Sequence, residues 1–449
     1  MHVTGIIAEY NPLHLGHQFH IAKTRELVAE SSSKASDTPH YVITVLSGDF
    51  VQRGLPAIID KHTRARMALE AGSDLVLELP VTYALSSGEG FAFGGVSLLH
   101  QLGCVNTLSF GSEAGKLDKL SEIARILNSM DHTPLGKGSH PLNNSYQSYY
   151  QTALKQGLTH PAARLQALHQ AFPNLDLSVL DGHSNNMLAL EYCKAIYRLN
   201  SHIQPLTIER KGQAYLENSV SVLSPADSGH AEKQSSFFAS ATAIREALNH
   251  LDPCNRETLS TNLLSSGISP FVNEILFHNQ SQNRLIYEDD FSSMLHYKLL
   301  NLTNAELVDY LEISPDFANK ITKNLGQFES FTQFANLLWT KDMTYARVCR
   351  NLMNIILDIK KGTWDVHQQV PYARVLGFRK EASPLLSEIK KKSYIPLITK
   401  LADSDKLLTP AAYRLLELDM KAAHIYDGVV LQKSGQKPVH EAQKQLVIV

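Results

Sequence analysis

Two histidines, His14 and His17, stand three residues apart around Gly16, behind an apolar run from Val3 to Ala8 and a break at Asn11-Pro12. Imidazoles placed where a strand gives way to a helix suit the holding of phosphate. The helix start offers unpaired backbone N–H groups and a partial positive charge. Gly16 removes a side chain that would keep main chain and phosphate apart, and the spacing sets both rings on one face of the first turn. Donors fixed in this way stabilise the charge that grows on phosphorus oxygens and departing pyrophosphate when an α-phosphate is attacked. Two other readings fit a bare His-x-Gly-His. One is a pair of surface histidines in a chain that carries 20 of them. The other is a zinc site extended by His20, although no adjacent cysteine or carboxylate completes the set.

A second phosphate clamp is predicted at Ser240-Ala241-Thr242-Ala243-Ile244-Arg245. Ser240 or Thr242 suits a helix cap, and Arg245, one turn in, can reach back to an anion at that terminus. Three further stretches end strands or open helices. Ser47 to Gly54 is a glycine-bracketed loop that carries Arg53. Phe110-Gly111-Ser112-Glu113 has a glycine that admits a flat ring or ribose. Asn185-Asn186 precedes an amphipathic helix, one asparagine capping it and the other left for a ligand. Arg210 closes a later strand, within reach of a phosphate.

The elements that must position these residues alternate. Strands are expected at Val3–Ala8, Tyr41–Leu46, Asp74–Leu79, Thr107–Phe110 and Leu206–Arg210, with helices at His17–Ala29, Lys61–Ala71 and Glu89–Leu102. Strands apolar on both faces and separated by amphipathic helices predict a Rossmann-like parallel sheet covered on both sides. Ligands bind such sheets at the carboxyl ends of the strands, where the strand order switches. Residues 1–250 form this expected domain, with a polar insertion near 130–175. Residues 251–449 form a mainly helical second domain, as in Phe291–Leu300 and Ala346–Ile359. There Arg347, Arg350, Lys360, Lys361, Arg374, Arg379, Lys380 and Lys390-Lys391-Lys392, interleaved with Tyr345, Tyr372 and Tyr394, could follow an RNA backbone or simply be solvated helix faces.

Composition sets the bounds. The chain has 449 residues, 43% hydrophobic and 19% charged, an ordinary globular balance. A formal charge of -2 excludes a whole-chain basic excess, so a nucleic-acid partner needs local patches. Cys104, Cys193, Cys254 and Cys349 are scattered, without zinc spacing or a disulfide framework. No run approaches the ~20 apolar residues of a membrane span, and no export signal opens the chain, which predicts a cytoplasmic protein. Metal ligands are not expected among the protein's own side chains.

The stretches "EYNPLHLGH", "SGDFVQRGLPAIIDKHTRARMALEAGSDLVLELP", "FGSE", "SNNMLALEY", "SATAIR" and "YARVLGF" resemble the tRNA(Met) cytidine acetate ligase family, a branch of the HIGH-motif nucleotidyltransferases. The resemblance runs over most of the chain in consistent order. It implies ATP contact by Ile7, Ala8, Glu9, Tyr10, Asn11, Pro12, Leu13, His14, Leu15, Gly16, His17, Gln18, Phe19 and His20, and by Gly111, Asn185 and Arg210. It also implies a helical region that contributes to tRNA binding. The sequence departs from the family pattern at Asp49 (asparagine expected), at His62 (tryptophan expected), in "DGHSNN" and in a longer polar stretch around His132–Pro173.

The implied reaction has two steps. Acetate attacks the α-phosphate of ATP, with Mg²⁺ bridging phosphate oxygens, to give acetyl-adenylate and pyrophosphate. N4 of the wobble cytidine of elongator tRNA(Met), splayed from the anticodon loop, then takes the acetyl group and releases AMP. The cytosine amine is a poor nucleophile because its lone pair is delocalised into the ring, so the acetyl group must be activated. In this scheme His14 and His17 hold the α/β region, and Arg245 with Ser240 and Thr242 the pyrophosphate side. A small-molecule adenylyltransferase and a non-catalytic RNA-binding protein are the alternatives. Neutralising Lys390, Lys391 and Lys392 together is expected to weaken tRNA binding and flatten its salt dependence. An unchanged salt slope would return the cluster to the solvated-face reading.

Overall fold

The computed structural model describes residues 1–31, 38–131, 141–158, 160–180, 184–209, 240–249, 260–261, 263–264 and 267–449. Its strands are β1 (His2–Ala8), β2 (His40–Ser47), β3 (Phe50–Val51), β4 (Leu55–Pro56), β5 (Leu75–Leu79), β6 (Thr107–Ser112), β7 (Gln204–Glu209), β8 (Ala373–Phe378), β9 (Leu397–Ile398) and β10 (Val447–Ile448). The main sheet runs β10-β8-β5-β2-β1-β6-β7, with β9 beside β8. The block β5-β2-β1-β6-β7 is parallel throughout. Read in chain order it is the 3-2-1-4-5 arrangement of a doubly wound sheet, and the order switches between β1 and β6. The expected parallel sheet is therefore present, and the histidine segment leaves β1 at that switch.

Alternation along the strands assigns the two faces. Ile43 and Val45 of β2, with Leu75, Leu77 and Leu79 of β5, pack under the Gly88–Gln101, Leu117–Asp131 and Ser184–Arg198 helices. Val42 and Leu46 of β2, with Val76 of β5, face the Lys61–Glu70, Ala241–Asn249 and Pro270–Ser281 helices. Fully burying one such side chain contributes about 1.5–3 kcal/mol. A third core joins the helices of the C-terminal half to Phe50, whose ring meets Phe291 at 5.7 Å and Tyr426 at 6.1 Å.

The C-terminal half is mainly helical, as expected, but it also sends β8, β9 and β10 into the sheet. β8 lies antiparallel against β5. A buried ion cluster holds this junction. Lys61 Nζ lies 2.7 Å from Glu78, 2.9 Å from Glu441 and 3.6 Å from Asp49. Arg374 pairs with Glu78 at 2.6 Å and with Glu441. Arg374 and Tyr372, candidates for an RNA face, are both buried here, and Tyr372 donates its hydroxyl to Asp419 at 2.6 Å. Arg350 is buried as well, donating to Gln52 O and to Glu312. These three leave the RNA-binding set, because burial closes them to a partner.

Lys61, Arg374 and Lys444 hold the Glu441 carboxyl well below its usual range, outweighing its burial. A depressed carboxyl stabilises the fold above its unfolded pKa, and that contribution is lost as pH falls. Glu441→Gln leaves Lys61 and Arg374 undercompensated and is expected to cost about 3–5 kcal/mol. Melting curves from neutral to acid pH check both statements: the variant melts earlier at neutral pH and loses less on acidification.

Candidate active site

The site is built where β1 ends beside β6. The Leu15–Ser31 helix opens with its first N–H on Gly267 O, at 2.7 Å. His17 Nδ1 accepts the His14 N–H at 3.3 Å, and His14 Nδ1 accepts the Gly16 N–H at 3.1 Å. With both Nδ1 atoms accepting, the neutral rings carry their protons on Nε2, the donor a phosphate oxygen needs. The rings stack at 3.7 Å between centroids, and Tyr10 backs His17 at 4.9 Å. His20 does not extend this row. Its Nε2 meets Ser109 Oγ of β6 at 3.0 Å, and Thr24 shares that hydroxyl at 2.7 Å.

The two clamps predicted from sequence come together. Arg245 donates through Nη1 to Asn11 O at 2.7 Å and through Nη2 to Thr242 Oγ1 at 3.1 Å. Ser240 Oγ accepts the Ala243 N–H at 3.2 Å, so Ser240 is the cap of its helix. Asn11 Oδ1 accepts the Ile58 N–H at 2.7 Å, which anchors the histidine segment to the loop behind β2. Two helix N-termini, two imidazoles and a guanidinium therefore share one edge of the sheet, an arrangement suited to a polyphosphate.

On the β6 side Gly111 pairs with Ile208 of β7 at the carboxyl edge. Asn186 is fully buried. Its Oδ1 accepts the N–H groups of Glu113 (2.8 Å) and Ala114 (3.2 Å), and its Nδ2 donates to Val179 O at 2.7 Å. Neither asparagine caps its helix through its own side chain. The Glu113 carboxylate does so, taking the backbone N–H groups of Asn185 (3.3 Å) and Asn186 (2.9 Å). Asn185 Nδ2 donates to the same carboxylate at 2.6 Å, and this residue stays partly exposed, which leaves it as the ligand candidate of the pair. Arg210 and Cys254 lie outside the described residues.

Sequence reading missed Arg64. It has no exposure and donates to four main-chain carbonyls: Glu9 (2.8 Å), Ser47 (3.0 Å), Ile59 (3.0 Å) and Gly48. The available signal was an arginine among the apolar positions of the Lys61–Glu70 helix. The Ser47–Gly54 loop is likewise fixed from both sides. Gln52 N–H reaches Glu9 Oε1 at 2.7 Å, and Gly54 (φ 78°) lies so close to the Arg350 backbone that a Cβ would come within 2.2 Å of its nitrogen. Lys390, Lys391 and Lys392 are exposed, but they sit near the amino edge, since Tyr394 N–H bonds Gln101 O at the end of the helix leading into β6. A strand of this length separates them from the histidines by about 20 Å.

The HIGH Nucleotidyl Transferase family profile matches residues 1–442. The chain belongs to the HIGH nucleotidyltransferases. Curated relatives named tRNA(Met) cytidine acetate ligase place it in that branch. The protein from Clostridium perfringens is 37% identical over 437 residues, covering 95% of both chains. The one from Clostridium acetobutylicum is 35% identical over 460 residues and covers 100% of both. The crystal structure of Thermotoga maritima TmcAL with alpha-thio ATP superposes with a TM-score of 0.83, at 27% identity and 100% coverage of both chains. The apo form of that protein gives 0.83 at 28% identity, covering 100% of this chain and 99% of the other.

For this HIGH nucleotidyltransferase, His17→Ala is expected to abolish acetate-dependent AMP formation while tRNA affinity stays within a few-fold. Lost tRNA binding with intact adenylation would contradict the role given to His17. The asparagines should separate. Asn186→Ala strands buried N–H groups and destabilises by about 1–3 kcal/mol, whereas Asn185→Ala raises the KM for ATP with little change in Tm. Calorimetry beside ATP titration checks the split.

Proposed function

We propose that this chain is an ATP-dependent tRNA-modifying ligase. In this reading it activates acetate as acetyl-adenylate and acetylates N4 of the wobble cytidine of elongator tRNA(Met), giving N4-acetylcytidine. The Arg245 bridge to Asn11 carries the reading, because it joins the histidine-bearing helix start to a second helix start at the switch point. The names of the relatives supply acetate and tRNA(Met), and the ATP analogue bound to the Thermotoga protein supports the nucleotide.

His14 and His17 donate to the α/β oxygens, and Arg245 with Ser240 and Thr242 faces the leaving pyrophosphate. In-line displacement then needs little beyond positioning and neutralised charge. Among the described residues no group of three His, Cys, Asp or Glu is arranged to hold a metal ion. A Mg²⁺ ion brought in with ATP would neutralise charge on its phosphates. The exposed Lys360 and Lys361 offer the helical half a tRNA-facing surface, and Lys390–Lys392 with Tyr394, a strand's length from the histidines, would meet a part of the tRNA away from the reacting base. Among the described residues no helix is long and apolar enough to cross a membrane, and the proposed work on tRNA belongs in the cytoplasm.

Incubation with ATP, labelled acetate and tRNA, followed by mass spectrometry of the nucleosides, tests the reading. Labelled N4-acetylcytidine with stoichiometric AMP is expected. Adenylyl transfer to a small phosphate ester without tRNA modification, or no pyrophosphate release at all, would replace it.

A further inference from the structure

Glu9 is a poor phosphate ligand: an ionised carboxylate has no proton to donate and repels an anion. Its setting is nevertheless well defined. Oε1 accepts the Gln52 N–H at 2.7 Å, and the Arg64 guanidinium is occupied with the main-chain carbonyl of Glu9 at 2.8 Å. No ion pair to Glu9 and no donor to Oε2 exists among the described residues. Its charged and titratable surroundings are Arg53 from the Ser47–Gly54 loop, Arg64 from the Lys61–Glu70 helix, Arg245 from the Ala241–Asn249 helix and Tyr192 from the Ser184–Arg198 helix. Burial raises the Glu9 pKa, with the Gln52 N–H and the arginines pulling back.

We propose that Glu9 is a catalytic residue of the second half-reaction, accepting the proton from N4 of the cytidine as the acetyl group is transferred. This rests on the ligase reading above. N4 attacks the acetyl carbonyl carbon and forms the C–N bond. The nitrogen, made acidic by that attack, gives one proton to the Glu9 carboxylate. The bond from the acetyl carbon to the phosphate oxygen breaks, AMP leaves with the electron pair, and Glu9 returns its proton to solvent. A carboxylate is also the natural acceptor for a cytosine amino group, which fits recognition as well as proton removal. A base whose affinity for protons is lifted towards working pH serves this step better than an ordinary carboxylate.

Glu9→Gln keeps an acceptor for the Gln52 N–H and removes the base. Two rates are read: acetate-dependent exchange of pyrophosphate into ATP, and acetyl transfer from preformed acetyl-adenylate to tRNA. Transfer is expected to fall on the order of 100-fold more than exchange, to lose the acidic limb of its pH profile, and to be partly restored in Glu9→Asp. A parallel loss of both rates would make Glu9 a nucleotide ligand and overturn the proposal, as would transfer at the wild-type rate. Wild-type protein that shows neither rate would overturn the ligase reading itself, a result distinct from both.

Discussion

One buried guanidinium sets the geometry on which the site depends. Arg64 donates to the carbonyls of Glu9, Ser47, Gly48 and Ile59, so the turns leaving β1 and β2 converge on a single rigid group. A charge this deep is tolerated because carbonyl dipoles surround it on several sides. The Gln52 N–H on Glu9 Oε1 and the Ile58 N–H on Asn11 Oδ1 add to this clasp and hold the loop against the turn that carries Glu9. Catalysis by positioning is sensitive to displacements of about 1 Å, so this clasp bears directly on the geometry of the candidate site.

The second constraint is the shared sheet. β8 joins the edge of the N-terminal parallel sheet, and Lys61, Glu78, Arg374 and Glu441 neutralise one another in the seam. From the other direction, Phe50 enters the helical core and Gly54 abuts Arg350. The loop next to Glu9 is thus gripped by the helical half. Anything that shifts this half, a bound polynucleotide included, bears on the turn that presents the carboxylate.

Much of the local structure of the candidate site was legible. The Asn11-Pro12 break, the histidine pair and the Ser240–Arg245 cap are local signals, because turn chemistry and helix starts depend on neighbours in sequence. Asn185 and Asn186 could not be told apart locally. Only the Glu113 loop, folded over from β6, shows that Asn186 is consumed by structure. Arg350 and Arg374 illustrate the same gap. A run of basic residues reads as solvated unless the carboxylates that meet it, Glu312 for one and the buried Glu78 for the other, are known.

By itself the sequence determined the alternating strands and helices, their apolar faces and the two helix starts of the candidate site, since period and capping are properties of neighbouring residues. Tertiary structure alone decided that the late strands complete the early sheet, that Arg245 reaches Asn11, and that Arg64, Arg350 and Arg374 face inward. Those outcomes join residues tens to hundreds of positions apart. They are set by which charges find partners once the layers close, and no local pattern encodes that.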